Sequence, residues 1–199
     1  SLLDYEMSFK ESNRIQRWIQ QAHFPWKKTL EDFDFSFQPS INEKQIKDLT
    51  SCSFIDSHEN VAFFGPAGVG KTHLSVAIGL EAIYKSYEVR FLTLQQLTEL
   101  VDKATGNENK QRLLMSSLTR PKLLILDEMD LYDVNNNASA FLFKLLHSRY
   151  EKGSTIFTSN KTFFRWEGIF GGESRGSAII DRITHHAVVI RIEGRSYRL

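Results

Sequence analysis

The 199 residues of this chain are enough for one α/β domain with a short appendage and leave little room for two full domains. An apolar content of 41% and a charged content of 25% exclude long disorder, and a net charge of +1 excludes a general attraction to nucleic acid, so any DNA contact must come from a local patch. A single cysteine, Cys52, excludes an internal disulfide, and no apolar run or signal segment indicates a membrane, so we expect a structural thiol in a cytoplasmic protein.

Residues 1–55 form a linker segment with mixed helical and extended patterns. In residues 1–23, apolar side chains near helical spacing predict a polar helix that ends before the first proline. In residues 32–37, phenylalanine alternates strictly with polar residues, which predicts an extended segment with three aromatic rings on one face. Residues 41–50 return to a helical pattern. Because the chain begins with Ser1 rather than methionine, we expect a further module upstream.

Residues 56–199 form a second unit, in which short apolar strands alternate with helices. This alternation predicts a parallel sheet with helices on both faces. We expect five strands, at 61–64, 89–92, 123–126, 155–158 and 188–192. Helices are expected to begin at Thr72 and near Leu94, Glu108 and Ala138, and a last one to cover residues 177–186. Asn137 is the expected cap of the fourth of these helices, and Gly153 is the expected left-handed residue after it.

A phosphate-binding pattern follows the first strand and opens a helix of apolar period, which is the context that such a loop requires. The expected nucleotide-binding residues of this phosphate loop are Gly65, Pro66, Ala67, Gly68, Val69, Gly70, Lys71 and Thr72. Its glycines let the backbone turn tightly and aim amide groups at phosphate oxygens, and the helix N-terminus adds a positive dipole end. We expect Lys71 to reach the β- and γ-phosphates of ATP and the Thr72 hydroxyl to ligate Mg²⁺.

Polar residues also follow two later strands at the carboxyl edge of the predicted sheet, where ligands bind in open α/β folds. After strand 123–126 come Asp127, expected to hold Mg²⁺ directly or through water, and Glu128, expected to be the base that orients the attacking water. The alternative is that the two acids cap the next helix. Asn160 follows strand 155–158, and its amide could hold the attacking water or contact the γ-phosphate, unless it only forms a turn.

Four further features have both a functional and a plain interpretation. Arg182 and Arg198 could stabilise charge on a transferring phosphoryl group, or form surface salt bridges. The pair His185-His186 suggests a metal site, but neighbouring helical side chains point about 100° apart, which favours ordinary histidines. Residues 163–166 interleave aromatic rings with a cation as single-strand binders do, although such a cluster is more often core packing.

Several stretches resemble the IstB family, the ATPase helpers of insertion-sequence transposition. They are Lys28 to Phe35, the loop from Gly65 to His73, Ser148 to Glu151, Thr158 to Asn160, Asp181 to His186, and Gly194 to Arg198. The resemblance covers nearly the whole chain. The phosphate loop is common to many ATPases, whereas the Phe-rich segment and the Ser-Tyr-Arg ending are far more particular. The family is similar to the DnaC-type replicative helicase loaders, and both belong to the AAA+ initiator clade.

The resemblance implies an α/β P-loop AAA+ fold. We therefore expect a three-layer sandwich with a five-stranded parallel sheet, a short helical N-terminal segment and no C-terminal helical lid, so that the nucleotide is held loosely until a neighbouring subunit packs on it. It adds His73 to the nucleotide-binding residues and implies that Asn160 is the sensor-one residue. It also implies that Arg182 is an arginine finger offered to a neighbouring subunit and that Arg198 is a second-sensor arginine. The chain departs from the family pattern at Asp130, where a glycine is expected, and this puts the geometry of the following loop in question.

The family further implies ATP-driven head-to-tail assembly on DNA, bending of the DNA, and recruitment and stimulation of a transposase. A helicase loader of the DnaC type, whose main partner is a hexameric helicase, is the alternative. A small-molecule phosphotransferase would share the phosphate loop, but the Asp-Glu pair and Asn160 favour activation of water.

Overall fold

The computed structural model describes residues 2–130, 134–163, 166, 169 and 173–197, without the side chains of residues 2–8 and 173–175. The strands are β1 (Asn60–Phe64), β2 (Val89–Thr93), β3 (Leu123–Asp127), β4 (Ser154–Ser159) and β5 (Ala187–Arg191). The helices are α1 (Leu2–Ala22), α2 (Glu43–Thr50), α3 (Ser53–Asp56), α4 (Lys71–Tyr84), α5 (Leu94–Ala104), α6 (Glu108–Thr119), α7 (Asn136–Arg149) and α8 (Glu173–His185).

The five strands form one parallel sheet in the order β2-β3-β4-β1-β5. Each predicted strand is confirmed, with ends that differ by one residue at most. In the centre, Val61 of β1 pairs with Ile156 of β4 and with Val188 of β5. Because the strands are parallel, the residues that follow β1, β3 and β4 all emerge at the same edge of the sheet.

The sheet separates two apolar cores, because successive strand residues point to opposite faces. On β1, Val61 and Phe63 enter the core that the sheet forms with α1, α2 and α4. Ala62 and Phe64 enter the other core, which contains residues of α5, α6, α7 and α8. Helices therefore cover both faces, as the strand–helix alternation predicts.

The linker segment contains helix α1 as predicted, and Ile19 and Ala22 of this helix lie in the core that α4 shares. The prediction of an extended segment at residues 32–37 is wrong, since no strand forms there and residues 35–37 lie in a turn. The Asp34 carboxylate accepts hydrogen bonds from the amide groups two and three residues later, which bends the chain as Asx turns do. Phe33 and Phe35 still reach the core, with their ring centroids 4.9 Å apart.

Helix α7 begins two residues earlier than predicted. Its cap is Asn135, whose side-chain oxygen accepts a hydrogen bond from the Ala138 amide at 2.9 Å. Asn137, the predicted cap, lies exposed in the first turn. Three consecutive asparagines offer three possible caps, and the structure selects the first.

The end of α7 also differs from the prediction. The left-handed residue after the helix is Glu151, with φ of 54°, and Gly153 does not have a positive φ. Gly153 instead lies next to the Arg149 guanidinium. A Cβ atom at this position would be only 3.0 Å from Nη2 of Arg149, so the space favours a glycine. The Arg149 guanidinium is buried and donates hydrogen bonds to the carbonyl oxygens of Leu118, Thr119, Pro121, Lys122 and Ser154 and to the Thr155 hydroxyl. Burial lowers the pKa of Arg149 to about 10.

Cys52 lies in the core beside α2 and α3, and burial raises the pKa of its thiol to about 11. A buried thiol with a raised pKa is a poor nucleophile, which agrees with a structural thiol. Within the described part of the chain, none of the helices is long and apolar enough to cross a membrane.

Candidate functional site

An open pocket of about 1030 Å³ lies at the carboxyl edge of the sheet. Four parts of the chain line it: the phosphate loop, the residues at the ends of β3 and β4, the linker segment through Trp26 and Phe33, and Tyr197 near the C-terminus. This volume includes space that is open to the solvent, so the residues that line the pocket, and not its size, indicate the ligand.

The phosphate loop has the backbone conformation that its glycines allow. Gly68 and Gly70 have φ of 80° and 99°, in the left-handed region that favours glycine, and α4 begins at the next residue, Lys71. Within the described residues, the amide groups of residues 67–70 donate no hydrogen bond to the protein. These amides and the N-terminus of α4 therefore fit a bound polyphosphate.

Contacts from both ends of the chain enclose the phosphate loop. A side chain on Gly70 would collide with the ring of Phe33, and a side chain on Gly68 would collide with the Ser196 hydroxyl. The Tyr197 amide also donates a hydrogen bond to the Gly68 carbonyl at 2.9 Å. The two glycines are thus required for packing as well as for φ, and the sequence pattern did not reveal the residues that pack on them.

Lys71 and Asn160 meet although 89 residues separate them. The Lys71 ammonium donates hydrogen bonds to the carbonyl oxygens of Gly65 and Pro66, both at 2.7 Å, and to Asn160 Oδ1 at 2.8 Å. Lys71 is only 8% exposed, so its charge is held at the floor of the pocket. An ammonium and an amide placed together there are suited to contact the terminal phosphate of a nucleotide.

Thr72 and Asp127 also come together. The Thr72 hydroxyl lies 3.0 Å from Asp127 Oδ1 and 3.1 Å from Oδ2. Asp127 is 3% exposed, and it accepts a further hydrogen bond from the hydroxyl of Thr158. A hydroxyl and a carboxylate are the hard oxygen donors that Mg²⁺ prefers, so this pair fits the cation expected from the sequence.

Glu128 follows Asp127 in the left-handed region, with φ of 58°. Its amide donates to the Thr158 hydroxyl at 3.0 Å, and its side chain is exposed at the pocket. Thr158 therefore links the two acids, a role that sequence reasoning missed. The available signal was its place two residues before Asn160, since alternate strand residues point the same way.

Asp130 occupies the position where a glycine was expected. It does not have a positive φ, so the chain needs no glycine there. Its carboxylate accepts a hydrogen bond from the backbone amide of Asn160 at 2.7 Å, and Asp130 lines the pocket.

His73, in the first turn of α4, lies between the phosphate loop and the linker segment. Its Nε2 is 2.8 Å from the Thr29 carbonyl oxygen, so this nitrogen carries the hydrogen and donates it. The imidazole also packs edge-to-face on Phe33 and Trp26, with centroid distances of 5.2 and 6.0 Å. Burial lowers the pKa of His73, which favours the neutral ring.

Arg182 is not brought to this pocket. It lies near the C-terminus of α8, just before β5 begins, and therefore at the opposite edge of the sheet. Its guanidinium hydrogen-bonds His147 Nδ1 at 2.7 Å, beside a second, smaller pocket of about 400 Å³. His185 and His186 pack on each other there, with ring centroids 4.3 Å apart. Arg198 lies outside the described residues.

The aromatic cluster at residues 163–166 is described only at its two ends. Trp166 is fully buried, and its ring lies 4.9 Å from that of Phe163 and 5.4 Å from that of Phe157, measured between centroids. Its indole nitrogen donates to the Ser159 hydroxyl at 3.2 Å. These two aromatic residues therefore belong to the core, while residues 164 and 165 lie outside the described part of the chain.

Comparison with known proteins gives matches over the whole chain. Residues 1–199 match the family described as IstB-like ATP binding protein. The Insertion sequence IS5376 putative ATP-binding protein of Geobacillus stearothermophilus is 39% identical over 198 residues, which cover 100% of this chain and 78% of that relative.

Solved structures show a similar fold. The crystal structure of the DnaC helicase loader matches with a TM-score of 0.64 and 20% identity. The match covers 84% of this chain and 97% of the helicase loader's chain. AMPPCP-bound DnaA from Aquifex aeolicus has a TM-score of 0.68 and 20% identity over 86% of this chain, which spans only 51% of that protein. At this identity the likeness shows the fold alone, which is the α/β P-loop AAA+ fold expected from the sequence.

Proposed function

The chain belongs to the family of IstB-like ATP binding proteins, and from this premise we propose that it hydrolyses ATP with Mg²⁺, assembles head to tail on DNA and assists the transposase of an insertion sequence. The observation that carries the proposal is the convergence of Lys71, Thr72, Asp127 and Asn160 at the N-terminus of one helix.

The proposed binding step uses the phosphate loop. The amides of residues 67–70 and the Lys71 ammonium would bind the β- and γ-phosphates, and Lys71 would exchange its contacts with the Gly65 and Pro66 carbonyls for phosphate oxygens. Thr72 and Asp127 would hold Mg²⁺, which when bound would neutralise charge on the phosphate oxygens.

The proposed hydrolytic step uses the exposed carboxylate of Glu128. A water attacks the γ-phosphorus, the bond to the bridging oxygen of ADP breaks, and Glu128 accepts the proton that the water loses. Asn160, held beside Lys71, would contact the terminal phosphate or the attacking water without adding charge. His73 and the linker rings of Trp26 and Phe33 would form an aromatic wall of the pocket.

Self-association is proposed from the place of Arg182. This side chain lies at the edge of the sheet opposite to the pocket, so it is too far to serve the nucleotide of its own chain. A guanidinium in that place can act on the nucleotide of a neighbour, and such a contact repeated head to tail gives a spiral or a filament. A second-sensor role for Arg198 stays a prediction.

DNA and a transposase are the proposed partners because the relatives are named as ATP-binding proteins of insertion sequences. The fold alone equally supports a helicase loader, since the DnaC helicase loader shares it. Capture by the full-length protein of either the transposase of the same element or a replicative helicase distinguishes these two functions. Transfer of phosphate to an added nucleoside, with turnover indifferent to DNA, would instead indicate a phosphotransferase.

The experiment that tests the proposal is analytical sedimentation, supported by electron microscopy, of the protein with duplex DNA and Mg²⁺. We expect large particles with ATP and none with ADP, because only the triphosphate supplies the group that a neighbour's arginine would contact. Lys71→Ala should form none with either nucleotide, while Lys144→Ala, a change at an exposed site on α7, should behave as the wild type. Equal assembly with ATP and ADP, or assembly by Lys71→Ala, would refute the proposal.

A further inference from the structure

Three hydrogen bonds join the loop after β3 to the end of β4. The Glu128 amide donates to the Thr158 hydroxyl at 3.0 Å, and the Met129 amide donates to the Thr158 carbonyl at 2.9 Å. In the third bond the donor lies at the end of β4 and the acceptor in the loop, since the backbone amide of Asn160 donates to the Asp130 carboxylate at 2.7 Å.

The third bond depends on a side chain. The first two are made by backbone amides of the loop, whose donors any residue except proline would supply. In the described part of the loop, which ends at Asp130, no further backbone hydrogen bond to the end of β4 follows, and the carboxylate of Asp130 makes the next contact. A residue without a side-chain acceptor could not make this bond.

This bond acts on the residue that contacts Lys71. The backbone amide of Asn160 donates a hydrogen bond to Asp130. The side-chain oxygen of the same residue accepts a hydrogen bond from the Lys71 ammonium at 2.8 Å. A hydrogen bond to a carboxylate is stronger than one between neutral groups, so it restricts the backbone from which the Asn160 side chain projects.

We propose that Asp130 is a positioning residue, whose carboxylate fixes the backbone of Asn160 and so holds the Asn160 side chain against Lys71 in the nucleotide pocket. Its part in turnover rests on the proposed function, whereas its hold on the Asn160 amide does not. Because the phosphate loop and the Thr72–Asp127 pair do not depend on this bond, nucleotide affinity stays the same when it is lost and only the rate of hydrolysis falls.

Two substitutions separate the hydrogen bond from the charge. Asp130→Ala removes the acceptor, and Asp130→Asn keeps an acceptor oxygen at the same reach without the negative charge. Asp48→Asn, on the exposed face of α2, is the matched control for the loss of a carboxylate. Thermal unfolding of each variant verifies that it folds, and Asp130→Gly provides a second acceptor-free variant.

The first measurement is amide hydrogen exchange at Asn160 in the protein without nucleotide. Loss of a charge-assisted hydrogen bond should speed exchange about tenfold or more in Asp130→Ala, while Asp130→Asn and the control should stay within about threefold of the wild type. Unchanged exchange in Asp130→Ala would overturn the positioning role of Asp130, whether or not the wild-type protein hydrolyses ATP. If the wild-type protein hydrolysed no ATP, the proposed function would fail, but the exchange result would still test the positioning role.

The second measurement is steady-state ATP hydrolysis. A misplaced Asn160 should lower kcat by about 10- to 100-fold in Asp130→Ala with KM within about threefold, and Asp130→Asn should restore most of the rate. An equal loss in Asp130→Asn, or a rise of KM in place of the fall of kcat, would contradict the positioning role.

Discussion

Glu128 combines a left-handed backbone with an exposed carboxylate, and its neighbour Asp127 is buried beside Thr72. Because one carboxylate is buried and the other exposed, the two adjacent acids are suited to different roles. The buried carboxylate is enclosed by hydroxyl groups and suits a cation, whereas the exposed one is accessible to a water in the pocket.

Glu128→Gln should therefore keep ATP affinity and lose hydrolysis, by roughly 100-fold or more, because an amide cannot accept the proton of the attacking water. Titration calorimetry gives the affinity and phosphate release gives the rate. Glu99→Gln, an exposed change on α5, should alter neither. Unchanged turnover in Glu128→Gln would remove Glu128 from the role of base.

At the scale of single residues, the motif spacing predicted side chains that the structure brings to one pocket, but it did not predict their contacts. Thr158 between the acids, Phe33 on Gly70 and Asp130 on Asn160 are partners from distant parts of the chain. No local pattern encodes such pairs, since each depends on the packing of every element between them.

At the scale of elements, strands were predictable because the apolar runs of a parallel sheet are short and bounded by polar turns. The structure of the segment at 32–37 was not predictable, because alternating phenylalanines can pack against a core from a turn as well as from a strand. At the end of α7, Gly153 suggested a left-handed residue, but its small size serves the buried guanidinium of Arg149. The division of the chain at residue 55 stays a prediction.

The cap of α7 offers a direct comparison between two asparagines. Asn135→Ala should lower the free energy of unfolding by about 1 kcal/mol, because it removes the oxygen that accepts from the Ala138 amide and the exposed hydrogen bonds that the same side chain donates to Asp102. Asn137→Ala, the matched control two residues later, should change it by less than about 0.5 kcal/mol. Denaturant unfolding of both variants measures the difference, and a larger loss for Asn137→Ala would contradict the assigned cap.

At the scale of the whole molecule, the nucleotide pocket and Arg182 lie at opposite edges of one sheet. Subunits that stack in one direction would place the arginine of each beside the pocket of the next, which is the head-to-tail assembly proposed above. The His147 contact holds the guanidinium in the isolated chain.

Mixing two inactive variants tests whether Arg182 acts on a neighbour. Arg182→Ala and Lys71→Ala should each hydrolyse ATP at least about 100-fold more slowly than the wild type. When mixed with DNA they should recover part of the rate, since a Lys71→Ala subunit can offer its arginine to the intact pocket of an Arg182→Ala subunit. Absence of recovery over a range of mixing ratios would leave the action in trans without support.

The sequence by itself determined the five strands and the residue types that follow them at the edge of the pocket, because a phosphate loop, an acidic strand end and short apolar runs are properties of neighbouring residues. The tertiary structure alone decided which distant side chains meet: Lys71 with Asn160, Asp130 with the Asn160 amide, and Arg182 with His147 instead of the pocket. The physical reason is range. A hydrogen bond forms only when donor and acceptor approach to about 3 Å, and over tens of residues that approach is set by the packing of the helices and strands between them.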